Sequence, residues 1–145
     1  MNTASIDEAM EKYLQERMVK GRDAARERFL ANAYLKHGGD EVLVFLLKVG
    51  GLARHYIRHL RLMENSIRWP ELTWFSIMAA VGAYGYGLMA QDESWMLGAV
   101  LLAGTLVHAW SLIRMITRKT REIDLRIALY GEIIQIVEKE LSCII

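Results

Sequence analysis

Cysteine and proline are almost absent from this chain: its 145 residues include one of each, Cys143 and Pro70. A single cysteine excludes an internal disulfide and a metal site built from several thiolates. The net charge is also small, +1, so the overall composition does not indicate a nucleic-acid binder, and no nucleic-acid partner is expected. The informative features of this sequence are therefore local.

Charge is missing from two segments, Leu72–Ala90 and Trp95–Ile113, which only Gln-Asp-Glu-Ser separates. Each has 19 residues, and a helix of that length measures about 28 Å, close to the ~30 Å hydrocarbon core of a bilayer. Because the connector is so short, the second helix must return directly, which predicts a two-span membrane hairpin. The N-terminus lacks the apolar stretch of a signal peptide, so we expect the first segment itself to direct insertion.

Arginine and lysine are absent between Pro70 and Ile113 but frequent on both sides of that stretch, whereas the connector carries Asp92 and Glu93. Basic residues are retained on the cytoplasmic side of a bilayer. This distribution predicts that both termini are cytoplasmic and the connector is external, and the expected membrane is a prokaryotic inner membrane. The flanking basic side chains are expected to contact lipid head groups. These side chains are Arg54, Arg58, Arg61, Arg114, Arg118 and Lys119.

One all-α domain with three parts is expected. Residues 1–69 form cytoplasmic or interfacial helices, residues 70–113 form the transmembrane hairpin, and residues 114–145 form a cytoplasmic heptad helix. Within the hairpin, the spans cover residues 70–90 and 95–113, and the external turn covers residues 91–94.

Capping residues predict the ends of the first helix. Ser5 and Glu8 have the spacing of a capping box, which predicts a helix that continues to about Lys36. Gly38-Gly39 would end this helix, and Asp40 would cap the next one.

The second helix is expected over about Glu41–Asn65. Its stretch Val42–Ala53 is too short to span a membrane and unusually apolar for a surface helix. It either lies in the membrane interface or packs against the other cytoplasmic helices, and the packed arrangement is favoured. Because proline pushes the preceding residue, Trp69, out of the helical region, the first span is expected to begin at Pro70 as a separate helix.

The second apolar segment has no such interruption, and one continuous helix from about Trp95 to Ser142 is expected. Beyond Ile113 its apolar residues follow the heptad spacing of a coiled-coil seam. We assign this seam to an oligomer contact; its residues are Ile123, Ile127, Tyr130, Ile134, Val137 and Leu141. A second apolar flank needs a further partner, either the N-terminal helices of the same chain or a neighbouring molecule. Its residues are Leu125, Leu129, Ile133 and Ile136.

Small residues recur every fourth position in both spans: Ala79, Ala83 and Gly87 in the first, Ala99 and Ala103 in the second. This spacing lets the backbones of membrane helices approach closely. The contact that it predicts lies within the hairpin, between subunits, or both.

Histidine provides the only candidates for chemistry. His108 is an ionisable residue inside a span, where a hydrogen bond across the helix pair is a simpler role than gating or proton sensing. His55 and His59 share a helical face and form an incomplete metal-binding pair, which surrounding arginines oppose. Arg54 with His59 is similar to the Arg-x4-6-His signature of HEPN ribonucleases, which would imply action on phosphate. An enzyme or metal protein is the least favoured interpretation, so no catalytic residue, metal or cofactor is expected.

The order of these segments, and the stretch Arg-Asp-Ala-Ala-Arg-Glu-Arg-Phe at residues 22–29, resemble prokaryotic two-span effector proteins of the SLATT type. Those proteins carry a membrane hairpin flanked by cytoplasmic helices. The favoured function is a channel-forming, pore-forming or membrane-perturbing homo-oligomer, in contact with lipids and controlled through its cytoplasmic helices. The alternative is a scaffold subunit of a larger inner-membrane complex, such as a secretion or conjugation machine, in which the second apolar flank binds another protein.

Overall fold

The computed structural model describes residues 3–91 and 94–144, and of residues 3 and 67–69 it describes the backbone only. The connector residues Asp92 and Glu93 therefore lie outside the described residues. Over the described ranges the chain forms four helices and no strand, which confirms the all-α class. The helices are α1 (Thr3–Lys20), α2 (Arg22–Lys36), α3 (Asp40–Met89) and α4 (Trp95–Ile144).

The prediction of one helix from Ser5 to Lys36 is wrong at two points. Gly21 separates α1 from α2 with a φ of +88°, a conformation that glycine adopts without the penalty of a Cβ atom. Helix α1 also begins at Thr3, ahead of the predicted cap. Because Ser5 lies inside the first turn, its hydroxyl cannot serve as the N-cap. The predicted turn at Gly38-Gly39 is confirmed: Gly39 has a φ of +56°, and α3 begins at Asp40.

The expectation that a separate helix begins at Pro70 is also wrong, because α3 continues through this residue. A proline inside a helix removes one backbone hydrogen bond and crowds the carbonyl four residues earlier, at a cost of about 3 kcal/mol. The whole helix, from Asp40 to Met89, nevertheless has 50 residues. The helical turns on both sides of Pro70 therefore outweigh this local cost. The continuous helix predicted from Trp95 to about Ser142 is confirmed as α4.

The chain divides into two compact units, unit 1 (Met1–Leu60 and Leu125–Ile145) and unit 2 (Arg61–Asp124). In unit 1, all four helices contribute buried apolar side chains to one core. These are Ile6, Met10, Tyr13, Leu14, Ala25, Phe29, Ala33, Val42, Phe45, Leu46, Val49, Ala53, Leu129, Tyr130, Ile133, Ile136 and Val137. The stretch Val42–Ala53 thus takes the packed arrangement rather than the interfacial one.

Unit 2 holds the apolar segments of α3 and α4, which contact each other through glycine. A Cβ atom added at Gly98 would lie 2.5 Å from the carbonyl oxygen of Gly85 and 2.7 Å from the backbone nitrogen of Met89. At Gly82 an added Cβ atom would lie 3.3 Å from the hydroxyl oxygen of Thr105. These contacts pair the end of one segment with the beginning of the other, so the two run antiparallel at close range.

Both helices are long and apolar enough to cross a membrane. Only 6% of the most apolar stretch of each is buried inside the structure. Core helices of water-soluble proteins have the opposite character, because their apolar residues are covered by the rest of the chain. The mean hydropathy of the chain, +0.14, does not reveal these uncovered apolar stretches.

Candidate functional site

The heptad residues of α4 lie mostly inside unit 1 rather than on an outer surface. Tyr130 and Val137 are buried in the core, and Ile134 and Leu141 pack against it at its edge. Ile123 and Ile127 are half-buried. The structure therefore uses the same-chain partners for most of the predicted oligomer seam.

The second apolar flank is covered in the same way. Leu129, Ile133 and Ile136 are buried against α1, α2 and the first part of α3, and only Leu125 stays exposed. The two apolar faces of α4 thus pack mainly against the N-terminal helices of the same chain. These helices are one of the two partners that the sequence analysis considered.

A polar cluster joins α1 to α4 beside this core. Arg17 donates from Nε to Glu132 Oε2 at 2.8 Å and from Nη2 to Glu132 Oε1 at 3.1 Å. The hydroxyl of Tyr13 donates to the same Oε2 atom at 3.3 Å. A two-pronged arginine–carboxylate pair has a fixed geometry, so it sets the register of the two helices as well as attracting them.

The cluster shifts the pKa of both acidic members. Burial, followed by repulsion from the nearby carboxylate of Glu132, raises the pKa of Tyr13 to about 12. The hydrogen bonds that Arg17 donates lower the pKa of Glu132 below its usual 4.5, although partial burial opposes this shift. Both shifts favour a neutral phenol beside a charged carboxylate.

Further polar contacts join other pairs of helices in unit 1. They are Arg22 Nη2 to Gln135 Oε1 (3.1 Å), Arg28 Nη1 to Glu16 Oε1 (3.1 Å), Arg54 Nη2 to Glu138 Oε1 (2.7 Å), Arg26 Nη2 to Glu140 Oε1 (3.9 Å) and the hydroxyl of Tyr56 to Asp7 Oδ1 (2.8 Å). Arg54, which the sequence assigns to lipid head groups, therefore has a carboxylate partner within unit 1.

A cavity of about 300 Å³ opens between α1 and α2, and sequence reasoning did not predict it. Its floor contains the rings of Tyr13, Phe29 and Phe45, whereas Lys12 and Lys36 are among the polar residues around its mouth. The Tyr13 and Phe29 rings meet edge to face with centroids 5.8 Å apart. The sequence shows these aromatics only as parts of apolar stripes, so no local pattern reveals that they converge on one cavity.

The small residues of unit 2 do not coincide with the close contact between its helices. Ala83, Gly87 and Ala103 are exposed, and an added Cβ atom at Gly87 would meet nothing within 4 Å. Ala79 is exposed along a groove between the helices, and Ala99 is half-buried. The close contact lies at Gly82, Gly85 and Gly98 instead, one helical face away from the predicted stripe. A contact between subunits remains a prediction for the exposed small residues.

His108 is exposed, and its ring lies edge-on to Trp74 with centroids 6.4 Å apart. The basic residues that follow it along α4 are exposed as well, and an open surface depression beside Trp110 is lined by Arg114 and Arg118. Arg58, Arg61 and Lys119 are also exposed. Contact of these side chains with lipid remains a prediction.

His55 and His59 are exposed on α3. Among the residues that the structure describes, no group of three or more His, Cys, Asp or Glu side chains is arranged to hold a metal ion. The third ligand that this histidine pair would need is therefore not supplied by the described side chains. Arg54, the other residue of the HEPN-like pattern, is engaged by Glu138 at 2.7 Å.

No family model, no characterised protein and no solved structure matches this chain. The resemblances to SLATT proteins and to HEPN ribonucleases therefore gain no support from comparison.

Proposed function

We propose that this chain is a non-enzymatic, self-associating two-pass protein of a prokaryotic inner membrane that forms a channel or pore, or otherwise perturbs the bilayer. Its hairpin consists of the apolar segments of α3 and α4, and unit 1 lies in the cytoplasm, where its helices control the assembly. The observation that carries this proposal is the exposure of the apolar segments. Only 6% of each apolar stretch is buried inside the structure, whereas unit 1 has a buried apolar core.

Exposure supports a membrane location for the apolar segments. Burying apolar surface is worth about 25 cal/mol per Å², so long apolar helices left in water would be strongly unfavourable. Only 6% of each apolar stretch is covered by the chain itself. A bilayer, together with neighbouring copies, supplies the missing cover.

Charge supports the orientation. Unit 1 and the ends of the apolar segments carry the arginines and lysines, whereas the connector sequence has none. Both termini then face the cytoplasm, together with the polar cluster of Arg17, Tyr13 and Glu132.

Self-association follows from the geometry of a pore. Two helices that meet through Gly85 and Gly98 cannot enclose a pore on their own. A channel therefore needs several copies, and the exposed small residues Ala83, Gly87 and Ala103 form the face that could bring copies close together.

Flux through proteoliposomes tests the proposed activity. Vesicles containing the protein should release a small entrapped ion or dye faster than protein-free vesicles. Gly87→Leu should reduce this release, because it places a bulky side chain on the proposed contact between copies, at a position where an added Cβ atom meets nothing within 4 Å. Val107→Leu, an exposed change on the other helix, is the matched control and should leave release unchanged. Wild-type vesicles as tight as protein-free ones would contradict the pore.

The scaffold alternative has lost the feature that motivated it. The flank that would bind a second protein has Leu129, Ile133 and Ile136 buried in its own chain. Leu125 alone stays exposed there and is too small a surface for a stable interface. The pore is therefore preferred.

A further inference from the structure

The cavity in unit 1 combines an aromatic floor with a polar mouth. Tyr13, Phe29 and Phe45 are buried at its base, and Lys12, Lys36 and Glu8 are exposed at its rim. Its volume of about 300 Å³ is large enough for a small organic molecule. An apolar base is a poor host for ordered water, because water needs two or more polar partners.

The rings at the floor favour a flat aromatic guest. Tyr13 meets Phe29 edge to face, and the Phe29 and Phe45 rings are tilted by 34° with centroids 6.4 Å apart. His37, at the rim, stacks on Phe45 with centroids 4.6 Å apart. Aromatic rings attract one another most strongly in edge-to-face and offset-stacked arrangements, so a flat aromatic ring is favoured over an aliphatic group beside these residues.

The charges at the mouth favour an anion. Arg28 pairs with Glu16 at 3.1 Å and so neutralises one of the two acidic rim residues. Lys12 and Lys36 then outnumber the remaining carboxylate, Glu8, and the rim carries a net positive charge. The side-chain amide of Asn32, on the same rim, adds a neutral donor.

We propose that this cavity binds a small aromatic monoanion, such as an aryl carboxylate, with its ring against the floor that Tyr13, Phe29 and Phe45 form and its acid group at Lys12 and Lys36. The site lies wholly within unit 1 and does not depend on whether the protein forms a pore. Its occupant would connect α1, α2 and the first part of α3, and so would stabilise the arrangement of these helices.

Calorimetric titration of the full-length protein in lipid nanodiscs, with 2-naphthoate as the probe, tests the site. We expect saturable binding of one molecule per chain. The uncharged 2-naphthamide should bind about tenfold more weakly, since a hydrogen bond to a charged group is worth about one power of ten in affinity. Decanoate, which has the charge without the ring, should also bind more weakly. Protein-free nanodiscs measure partition into lipid, which is subtracted.

Variants locate the binding. Lys12→Gln combined with Lys36→Gln should weaken 2-naphthoate about tenfold and leave 2-naphthamide unchanged. Ala9→Met should abolish binding of both by filling the cavity, because Ala9 lines it and is only partly buried. Lys20→Gln, an exposed lysine outside the cavity, is the charge control and should bind as the wild type does. Circular dichroism checks that each variant keeps its helices.

Three results would overturn the proposal. They are no binding above protein-free nanodiscs, equal affinity for 2-naphthoate and decanoate, and undiminished binding by the folded lysine double variant. Absence of 2-naphthoate binding would not contradict release from vesicles, and absence of release would not contradict 2-naphthoate binding. The two proposals are therefore tested separately.

Discussion

Glu132 shows how one side chain fixes the packing of unit 1, because it accepts two hydrogen bonds from Arg17 and one from Tyr13. Since its pKa is lowered in the folded protein, the stability that it contributes is fully present above pH 4.5 and is lost as the pH falls below that value. Tyr13 behaves in the opposite direction. Its pKa is raised from 10 to about 12, so its contribution is present below pH 10 and is lost as the pH rises toward 12.

Replacing Glu132 by glutamine should therefore change the shape of the stability profile. At neutral pH, Glu132→Gln should melt a few degrees below the wild type, and this difference should shrink as the pH falls below 4.5. Thermal melting followed by circular dichroism between pH 3 and pH 7 measures the profile. Glu122→Gln is the control, because its 3.9 Å pair with Arg118 is exposed and contributes little. If the difference in melting temperature between wild type and Glu132→Gln were the same at every pH, the charge of Glu132 would not contribute to stability.

Gly98 is the residue on which the contact in unit 2 depends most directly. A Cβ atom at this position would lie 2.5 Å from the Gly85 carbonyl oxygen, so Gly98→Ala must push the two helices apart. We expect a loss of about 1–3 kcal/mol in stability. Gly104→Ala is the matched control, since its Cβ would meet nothing within 4 Å and alanine favours a helix by up to about 1 kcal/mol. Unfolding of detergent-solubilised protein by increasing SDS measures both, and equal stabilities would contradict the close contact.

At the scale of whole elements, the sequence predicts helices better than their partners. Apolar periodicity is a local property, and it correctly predicts α4 as one continuous helix. It shows two apolar faces on α4 but cannot say whether the N-terminal helices of the same chain or another molecule covers them. Two helix boundaries were predicted incorrectly. The chain breaks at Gly21, where no helix end was predicted, and it continues as a helix through Pro70, where a new helix was predicted to begin. The cavity between α1 and α2 arises from long-range packing and has no local signature at all.

The role of α4 can be tested by placing a charge at a buried and at an exposed position of the same helix. Ile133 is fully buried in the unit 1 core, so Ile133→Asp should unfold this unit, because an unpaired buried charge costs several kcal/mol. Leu125→Asp, at a position 50% exposed on the same helix, should leave the unit folded. Circular dichroism and limited proteolysis report the difference. A folded Ile133→Asp protein that merely dissociates would instead support a contact between copies through the second apolar flank.

At the scale of the whole molecule, the single cysteine provides a test of orientation. Cys143 is a free, exposed thiol, and the proposal puts it in the cytoplasm. A membrane-impermeant maleimide should label it in inverted membrane vesicles and not in intact spheroplasts. Ser94→Cys in a Cys143→Ala background should give the reverse pattern, since Ser94 is the last residue of the proposed external turn. Labelling of Cys143 in spheroplasts would contradict the orientation.

The number of chains in each membrane particle tests self-association, on which the pore depends. Native mass spectrometry of the protein released from lipid nanodiscs gives this number directly. The account predicts a single species with several copies of the chain, reduced toward the monomer by Gly87→Leu and unchanged by Val107→Leu. A wild-type protein that is monomeric in lipid would contradict it, because two helices in contact cannot enclose a channel.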